Sequence, residues 1–230
     1  MDSNRKRRNQ YMLSKTKIII VDDHLMFREG IKLLIETEGM GHVIAEADNG
    51  QELLCLLENQ NPDLVLMDIE MPVMGGLEAT IKAMIIKPKL KILVLTMLGN
   101  KDTYTNMINA GVMGFVLKTS GKQELEKAIK TVIGGEGYFS SELLHSIIVN
   151  FGKQKSGITN STLIDTEFTN RELEILEYLC KGFTVSEIAE KLFRSIKTIE
   201  ANRSTLLHKT NTKNTINLVL FALKNKLVEF

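Results

Sequence analysis

The chain has 230 residues, of which 43% are hydrophobic and 25% are charged, and its formal net charge at pH 7 is +1. No apolar run approaches the ~20 residues that a membrane helix needs, and the N-terminus lacks the apolar core of a signal peptide. Two cysteines far apart exclude a disulfide framework or a cysteine-rich zinc site and indicate a reducing compartment. We therefore predict a soluble, cytoplasmic protein of two domains without a membrane partner.

Short apolar runs alternate with amphipathic stretches in the first part of the chain. The runs are rich in Val, Ile and Leu, which is typical of parallel strands that are buried on both faces. The predicted strands are 18–21, 43–47, 64–67, 92–95 and 115–117, and the predicted helices are 25–38, 51–59, 77–87, 101–110 and 122–133. This alternation predicts an α/β doubly wound domain with a five-stranded parallel sheet.

A change of composition separates the two predicted domains. A further helical stretch at 140–151 is followed by residues 152–166, which are rich in Gly, Ser, Thr, Lys and Asn and are predicted to be a linker. The predicted organisation is a basic N-terminal tail at 1–16, the α/β domain at 17–135, a connecting helix and linker at 136–165, and a second domain at 166–230.

The second domain has the signals of four short helices. Two capping boxes, Thr169 with Glu172 and Thr184 with Glu187, each start a helix. Further N-cap candidates are Ser195 and Thr215, and Gly182 supplies a stop. Four helices in about 65 residues predict an all-α helix-turn-helix domain.

Charge is distributed unevenly along the chain. Residues 11–151 carry 13 basic and 18 acidic side chains, whereas 191–226 carries eight basic side chains against one acidic. This asymmetry indicates two different tasks on one chain. The basic cluster in the tail is interpreted as a solubilising segment, with an electrostatic arm for DNA as the alternative; it comprises Arg5, Lys6, Arg7 and Arg8.

Acidic residues stand at the carboxyl ends of two predicted strands. Asp22 and Asp23 follow the first strand and Asp68 follows the third, and these strands are neighbours in the flavodoxin-like order 2-1-3-4-5. Thr96 and Lys118 end strands four and five and would close the other side of the same edge. Because clustered carboxylates repel one another, a hard divalent cation such as Mg²⁺ would relieve their repulsion.

The chemistry that this edge predicts is formation of an acyl phosphate. A carboxylate can attack a phosphoryl donor, and Asp68 suits the nucleophile. Asp22, Asp23 and Asp68, with the backbone carbonyl of Glu70, are the predicted Mg²⁺ ligands. Lys118 and Thr96 would stabilise charge on the transferred phosphoryl oxygens.

One predicted helix of the second domain, residues 195–210, has the character of a DNA-reading element. Ile199 and Leu206 form its apolar side, with Ala201 as a further candidate, and the other side carries basic residues and short polar residues. Lys and Arg would neutralise phosphates, while Asn and Glu can pair with base edges. The residues of this polar side are Lys197, Thr198, Glu200, Asn202, Arg203, Ser204 and Lys209. An ordinary solvated face is the alternative interpretation.

The motifs of the first domain resemble the receiver domain of two-component response regulators. They are Val21-Asp22-Asp23-His24, Met67-Asp68-Ile69-Glu70-Met71-Pro72, Gly75-Gly76, Leu95-Thr96 and Gly114-Phe115-Val116-Leu117-Lys118. The resemblance implies Asp68 as phosphoacceptor, Asp22 and Asp23 as the metal pair, Thr96 as the switch hydroxyl and Lys118 as the phosphoryl contact. It also implies a sensor histidine kinase, or less specifically a small acyl phosphate, as donor.

Two positions near the pocket depart from common expectations. Phe115 stands where the switch aromatic is often Tyr, so a switch here has no hydroxyl to donate. Met97 could shield an acyl phosphate from water, although ordinary packing explains it equally well.

The second domain resembles the LuxR-type output domain of NarL/FixJ regulators. The resemblance rests on Phe168-Thr169-Asn170-Arg171-Glu172, Lys181-Gly182-Phe183-Thr184, Glu187-Ile188-Ala189 and Ser195 with Thr198-Ile199-Glu200. It implies that residues 195–210 are the recognition helix, with Glu200, Ala201 and Ser204 nearest the bases. Lys197, Thr198, Arg203 and Lys209 would touch the DNA backbone, and Asn202 stands where many members carry His.

The predicted function is a phosphorylation-dependent transcription regulator that binds double-stranded DNA as a homodimer. It is not predicted to be an enzyme beyond catalysing its own phosphorylation and dephosphorylation. One alternative is a Mg²⁺-dependent aspartyl-phosphate phosphatase, which needs a second Asp two residues after Asp68, where Glu70 stands. The other is an unphosphorylated DNA-binding protein that partner contacts control.

Overall fold

The computed structural model describes residues 15–97, 101–139, 168–212, 214–225 and 227–228. The chain divides into two compact units, Met1–Gly135 and Glu136–Phe230. Most of the predicted basic tail, the predicted helix at 140–151 and the predicted linker at 152–166 lie outside the described residues. In the part of the chain that is described, no helix is long and apolar enough to cross a membrane.

A parallel sheet forms the centre of the first unit. Its main strands are β1 (Lys17–Val21), β2 (His42–Ala47), β3 (Leu64–Asp68), β4 (Ile92–Thr96) and β5 (Gly114–Leu117). Each of the five predicted strands is found to within one residue at both ends. Their order is β2-β1-β3-β4-β5, as predicted, and all pairings among them are parallel.

A sixth strand of the sheet, β6 (Tyr138–Phe139), was not predicted. It has two residues, which is too short to give an alternating or continuous apolar pattern in the sequence. The predicted five-stranded sheet is therefore one short strand larger.

Burial of the strands explains their near-continuous apolar sequences. Every residue of β3, β4 and β5 is buried, and β1 is buried from Ile18 onward. Successive side chains of a strand point to opposite faces, so continuous burial means that both faces of the sheet are covered.

Helices follow each of the five strands, all within one residue of their predicted bounds. They are α1 (Leu25–Thr37), α2 (Gly50–Asn59), α3 (Gly76–Ile86), α4 (Lys101–Ala110) and α5 (Lys122–Ile133). Packing of α2 against α3 and of α3 against α4 makes one continuous helical layer.

Four helices make up the described core of the second unit: α6 (Asn170–Cys180), α7 (Val185–Lys191), α8 (Ile196–Lys209) and α9 (Thr215–Lys224). The two predicted capping boxes are both present, at Thr169 and at Thr184. Ser195 caps α8 by accepting a hydrogen bond from the Thr198 amide, as predicted.

The N-cap predicted for the last helix was wrong by one residue. Thr215 is the first residue of α9, and the preceding Asn214 accepts a hydrogen bond from the Asn217 amide through Oδ1 at 2.8 Å. Asn and Thr are both good N-caps, so the sequence Asn214-Thr215 does not by itself decide between them.

An ion pair links α6 to α8 inside the second unit. Lys209 Nζ lies 2.7 Å from Glu172 Oε2, and the Glu172 side chain is buried. Burial opposes ionisation of Glu172, but the bond from Lys209 and those of the capping box outweigh it, so the pKa of this carboxyl is lowered. Lys209 therefore has a structural partner within its own domain.

Candidate functional site

The three predicted carboxylates meet at the carboxyl edge of the sheet. Strands β1 and β3 are neighbours, with Val21 paired to Met67, so the residues that end these strands are brought side by side. One ligand atom each from Asp22, Asp23, His24 and Asp68 lies within 4.8 Å of the others. This acidic pocket is consistent with a metal site.

Lys118 partly compensates the negative charge of the two buried aspartates, Asp22 and Asp68. Its Nζ lies 2.7 Å from Asp22 Oδ2 and 2.7 Å from Asp68 Oδ2, and 4.9 Å from the centre of the Phe27 ring. Burial disfavours its ammonium form, but hydrogen bonds to the two aspartates outweigh this effect and raise the pKa of Lys118. Burial also raises the pKa of Asp68, against the opposing bond from Lys118.

A cavity of about 300 Å³ opens above these groups. It gives solvent or a ligand access to Asp68, whose Oδ1 accepts a hydrogen bond from the Ile69 amide at 2.7 Å. The lining residues are Asp23, His24, Asp68, Ile69, Glu70, Thr96, Met97, Thr103 and Lys118. The structure thus brings five of the predicted site residues to one cavity: Asp23, Asp68, Glu70, Thr96 and Lys118.

Two other predicted residues are buried and do not line the cavity. Asp22 is buried, with 1% of its side chain exposed. It is connected to the residues that line the cavity by its ion pair with Lys118 and by the His24 amide, which donates to its Oδ1 at 2.9 Å. Phe115 is fully buried, and its ring meets Tyr104 of α4 edge to face, with centroids 5.3 Å apart. A change in the conformation of the Phe115 side chain would therefore alter its contact with α4.

His24 lies beside both aspartates that follow β1, and the sequence pattern predicts no role for it. Its Nδ1 lies 2.9 Å from Asp23 Oδ1 and 3.3 Å from Asp22 Oδ1. A search for metal-ligand pairs at helical spacing overlooks a histidine that is placed beside two acids in a loop. The adjacency Asp22-Asp23-His24 was the available signal.

Gly76, the first residue of α3, lies directly against the strand end that carries Asp68. A Cβ at this position would lie 2.1 Å from the backbone oxygen of Asp68. The Gly76 amide donates to the Ile69 carbonyl at 2.9 Å, so this close approach holds the turn after β3 in place. The glycine allows the helix to begin directly against the strand end that carries Asp68.

Gly76→Ala is expected to lower the free energy of unfolding by roughly 1–3 kcal/mol, because backbone atoms must shift to admit the methyl group. Gly30→Ala in α1 is the matched control, since a Cβ there meets nothing within 4 Å. Alanine inside a helix is worth up to about 1 kcal/mol over glycine, so this control should be neutral or stabilising. Urea unfolding monitored by circular dichroism measures both variants; equal stability of Gly76→Ala and the wild type would contradict the steric argument.

The second candidate surface is the outer face of α8. Ile199 and Leu206 are buried and anchor the helix in its domain, whereas Ala201, the further candidate for the apolar side, is exposed. The opposite face is exposed, and of the predicted DNA contacts it carries Lys197, Thr198, Glu200, Ala201 and Ser204. Thr205 and His208, which were not predicted to contact DNA, are also exposed.

Three of the predicted contacts lie at the edges of this face. Asn202 donates to the Thr198 carbonyl at 2.8 Å, and Arg203 Nη1 lies 3.4 Å from Thr215 Oγ1 of α9. Lys209 is paired with Glu172. These side chains have contacts within the domain, whereas Lys197 projects from the exposed face.

Comparison with known proteins identifies both units. Residues 18–130 match the family described as the response regulator receiver domain, and residues 166–222 match the bacterial regulatory proteins of the luxR family. The oxygen regulatory protein NreC of Staphylococcus epidermidis is 37% identical over 217 residues, covering 93% of this chain and all of that protein. The chain belongs to the response regulators with a LuxR-type output domain. It is a two-component transcription regulator and not a conventional enzyme, which removes the phosphatase alternative.

Solved structures of other response regulators resemble this one. A LuxR-family response regulator from Aurantimonas sp. SI85-9A1 is 32% identical, with a TM-score of 0.57 over 60% of this chain and 99% of that one. RcsB, in a structure of two dimers bound to two parallel DNAs, is 26% identical, with a TM-score of 0.55 over 91% of this chain and 98% of that one. A receiver domain in this response regulator implies a histidine kinase as partner.

Proposed function

We propose that this response regulator accepts a phosphoryl group on Asp68 from a sensor histidine kinase and that the modification changes its binding to DNA. The observation that carries the proposal is the position of Asp68. Its carboxylate lies at a strand end, opens to a cavity of about 300 Å³ and is bonded to Lys118 Nζ at 2.7 Å. A buried carboxylate beside one cation and open to solvent on one side is suited to attack on a phosphoryl donor.

The donor atoms of the pocket fit Mg²⁺. Carboxylate oxygens of Asp22, Asp23 and Asp68 lie within 4.8 Å of one another, and Mg²⁺ prefers oxygen ligands from few carboxylates together with waters and phosphate. We propose these three residues and the backbone carbonyl of Glu70, which borders the cavity, as its ligands. The ion would neutralise negative charge on the incoming phosphoryl oxygens.

Residues of the chain itself would carry out the phosphoryl transfer to Asp68. An oxygen of Asp68 forms a bond to phosphorus while the bond from phosphorus to the donor breaks and the leaving group keeps the electron pair. Lys118, which is already paired with the Asp68 carboxylate, would contact the oxygens of the transferred phosphoryl group, and the Thr96 hydroxyl would donate a hydrogen bond to one of them. Met97, with 62% of its surface exposed at the cavity rim, would restrict water.

The output of this chemistry would be read by α8. We propose that Lys197, Thr198, Glu200, Ala201 and Ser204 face the major groove, and that Asn202, Arg203 and Lys209 act at the edges of the contact. One short helix reads few base pairs, so we propose a homodimer on two half-sites. The RcsB dimers bound to DNA support this arrangement by analogy.

The proposal is tested by measuring DNA affinity before and after treatment with a small acyl phosphate and Mg²⁺. Genomic fragments selected for binding supply the DNA. The affinity of the wild type is expected to change on treatment, and that of Asp68→Ala to remain constant. Equal responses of the two proteins, or a wild type that becomes phosphorylated without any change in affinity, would favour the alternative in which partner contacts alone control the regulator.

A further inference from the structure

Arg28, near the start of α1, is a buried cation beside the acidic pocket. Only 9% of its side chain is exposed. Its guanidinium contacts three acceptors: Nη1 donates to the backbone oxygen of Asp22, Nε lies 3.3 Å from Glu46 Oε2, and Nη2 lies 2.6 Å from Asp48 Oδ1. The sequence pattern predicts no role for this residue.

These contacts hold the end of β1 against the end of β2. The Asp22 amide donates to the carbonyl of Ala47, the last residue of β2, at 3.1 Å. Asp48 follows Ala47 directly and binds the same guanidinium that binds the Asp22 carbonyl. Both backbone polar groups of Asp22 are therefore held from outside β1, and the direction of its side chain follows from theirs.

We propose that Arg28 is a positioning residue for the cation site. By holding the Asp22 carbonyl, it sets the direction in which the carboxylates of Asp22 and Asp23 face the pocket. The inference rests on the proposed function, because it concerns the Mg²⁺ site proposed there. A guanidinium is suited to this task because its planar fork can serve three acceptors at once, which the single ammonium of lysine cannot do in the same geometry.

A purely electrostatic role for Arg28 would have the opposite sign. Arginine is a positive charge near a cation site, so its removal would tighten Mg²⁺ binding by Coulomb's law alone. Loss of positioning weakens binding instead, because outer-shell partners orient the residues that hold the metal. The direction of the change therefore separates the two explanations.

Lys32 supplies the matched control. Its Nζ lies 2.7 Å from Glu46 Oε1, so it belongs to the same network, and none of its contacts in the described structure involves Asp22. Lys32 contributes first, and Arg28 next, to the lowered pKa of Glu46. Lys32→Gln thus removes one positive charge from the network and leaves the contact to the Asp22 carbonyl in place.

The test is a Mg²⁺ titration of the full chain, followed by the NMR shifts of the backbone amides after β1. Arg28→Gln is expected to raise the Kd for Mg²⁺ about 10-fold or more, and Lys32→Gln to leave it unchanged or lower it. Arg28→Lys, which keeps the charge and loses the fork, should also weaken binding. If Arg28→Gln does not fold, Arg28→Lys replaces it in the experiment.

Wild-type affinity in both Arg28 variants, or tighter binding in Arg28→Gln, would overturn the positioning role. The proposed function would survive that result, because the wild type would still bind Mg²⁺. Absence of saturable Mg²⁺ binding in the wild type would overturn the metal site and the positioning role together. The amide spectrum far from the pocket reports in the same experiment whether each variant is folded.

Discussion

Asp68→Ala is expected to take up no phosphate when the protein is incubated with a small acyl phosphate and Mg²⁺, whereas the wild type gains one labile phosphoryl group. The physical reason is that the Asp68 carboxylate is both open to the cavity and bonded to Lys118 at 2.7 Å. Of the other acids of the cluster, Asp22 is buried and has its oxygens directed to Lys118 and the His24 amide. Intact mass spectrometry and Phos-tag gels measure the uptake, and lability to hydroxylamine identifies the bond as an acyl phosphate.

Glu70→Gln is the matched control for this prediction. Glu70 borders the same cavity with an exposed side chain, and the proposed metal site uses only its backbone carbonyl. This variant should therefore still gain one phosphoryl group. Uptake by Asp68→Ala, or no uptake by the wild type, would contradict the assignment of the phosphoacceptor, and loss of uptake in Glu70→Gln would assign a role to its carboxylate.

The sequence was sufficient to predict the arrangement of the acidic pocket because each residue concerned ends a strand. Parallel strands deliver their carboxyl ends to one edge, so a correct strand order places Asp22, Asp68, Thr96 and Lys118 together without knowledge of any side chain. The strand order was confirmed. The strand pattern is strong here because a sheet that is buried on both faces requires near-continuous apolar runs, which stand out from the amphipathic helices between them.

What the sequence could not supply were contacts between residues that no pattern links. Arg28 lies on a helix, and its partners Glu46 and Asp48 lie at the end of β2, so the ion pairs depend on how α1 packs on the sheet. Tyr104 against Phe115 is a similar case, because α4 and β5 meet only in the folded unit. The strand β6 was missed because two residues have no period.

On the helix face that is proposed to bind DNA, the sequence pattern does not distinguish free polar side chains from those with partners in the domain. Helical periodicity separates the buried Ile199 and Leu206 from the polar side, but it treats all polar residues of that side alike. The structure divides them: Lys209 is paired with Glu172, and Arg203 lies beside Thr215 of α9. Substitution of either residue would affect packing in the domain as well as DNA, so neither isolates the contact with phosphate.

DNA binding is expected to fall steeply with salt, and Lys197→Ala is expected to flatten that dependence. Each phosphate contact contributes about −0.9 to the slope of log K against log salt concentration, and a protein with six to ten contacts loses about 10³–10⁵ in affinity between 50 and 200 mM salt. Lys197 is exposed on α8 and has no ion pair with another described residue, so its charge is available to the polyanion. Its removal should reduce the slope by about 1 for each bound protomer, on every DNA sequence.

Lys181→Ala is the control for charge alone, since it removes one exposed cation from the same unit but outside α8, where Lys181 pairs with Glu177. Fluorescence anisotropy with a mixed-sequence duplex at several salt concentrations measures the slope of each variant. If Lys181→Ala flattens the slope as much as Lys197→Ala does, the effect is one of net charge, and the assignment of α8 to the DNA groove is contradicted. If only Lys197→Ala does so, the contact is assigned to the exposed face that begins one residue after the start of α8.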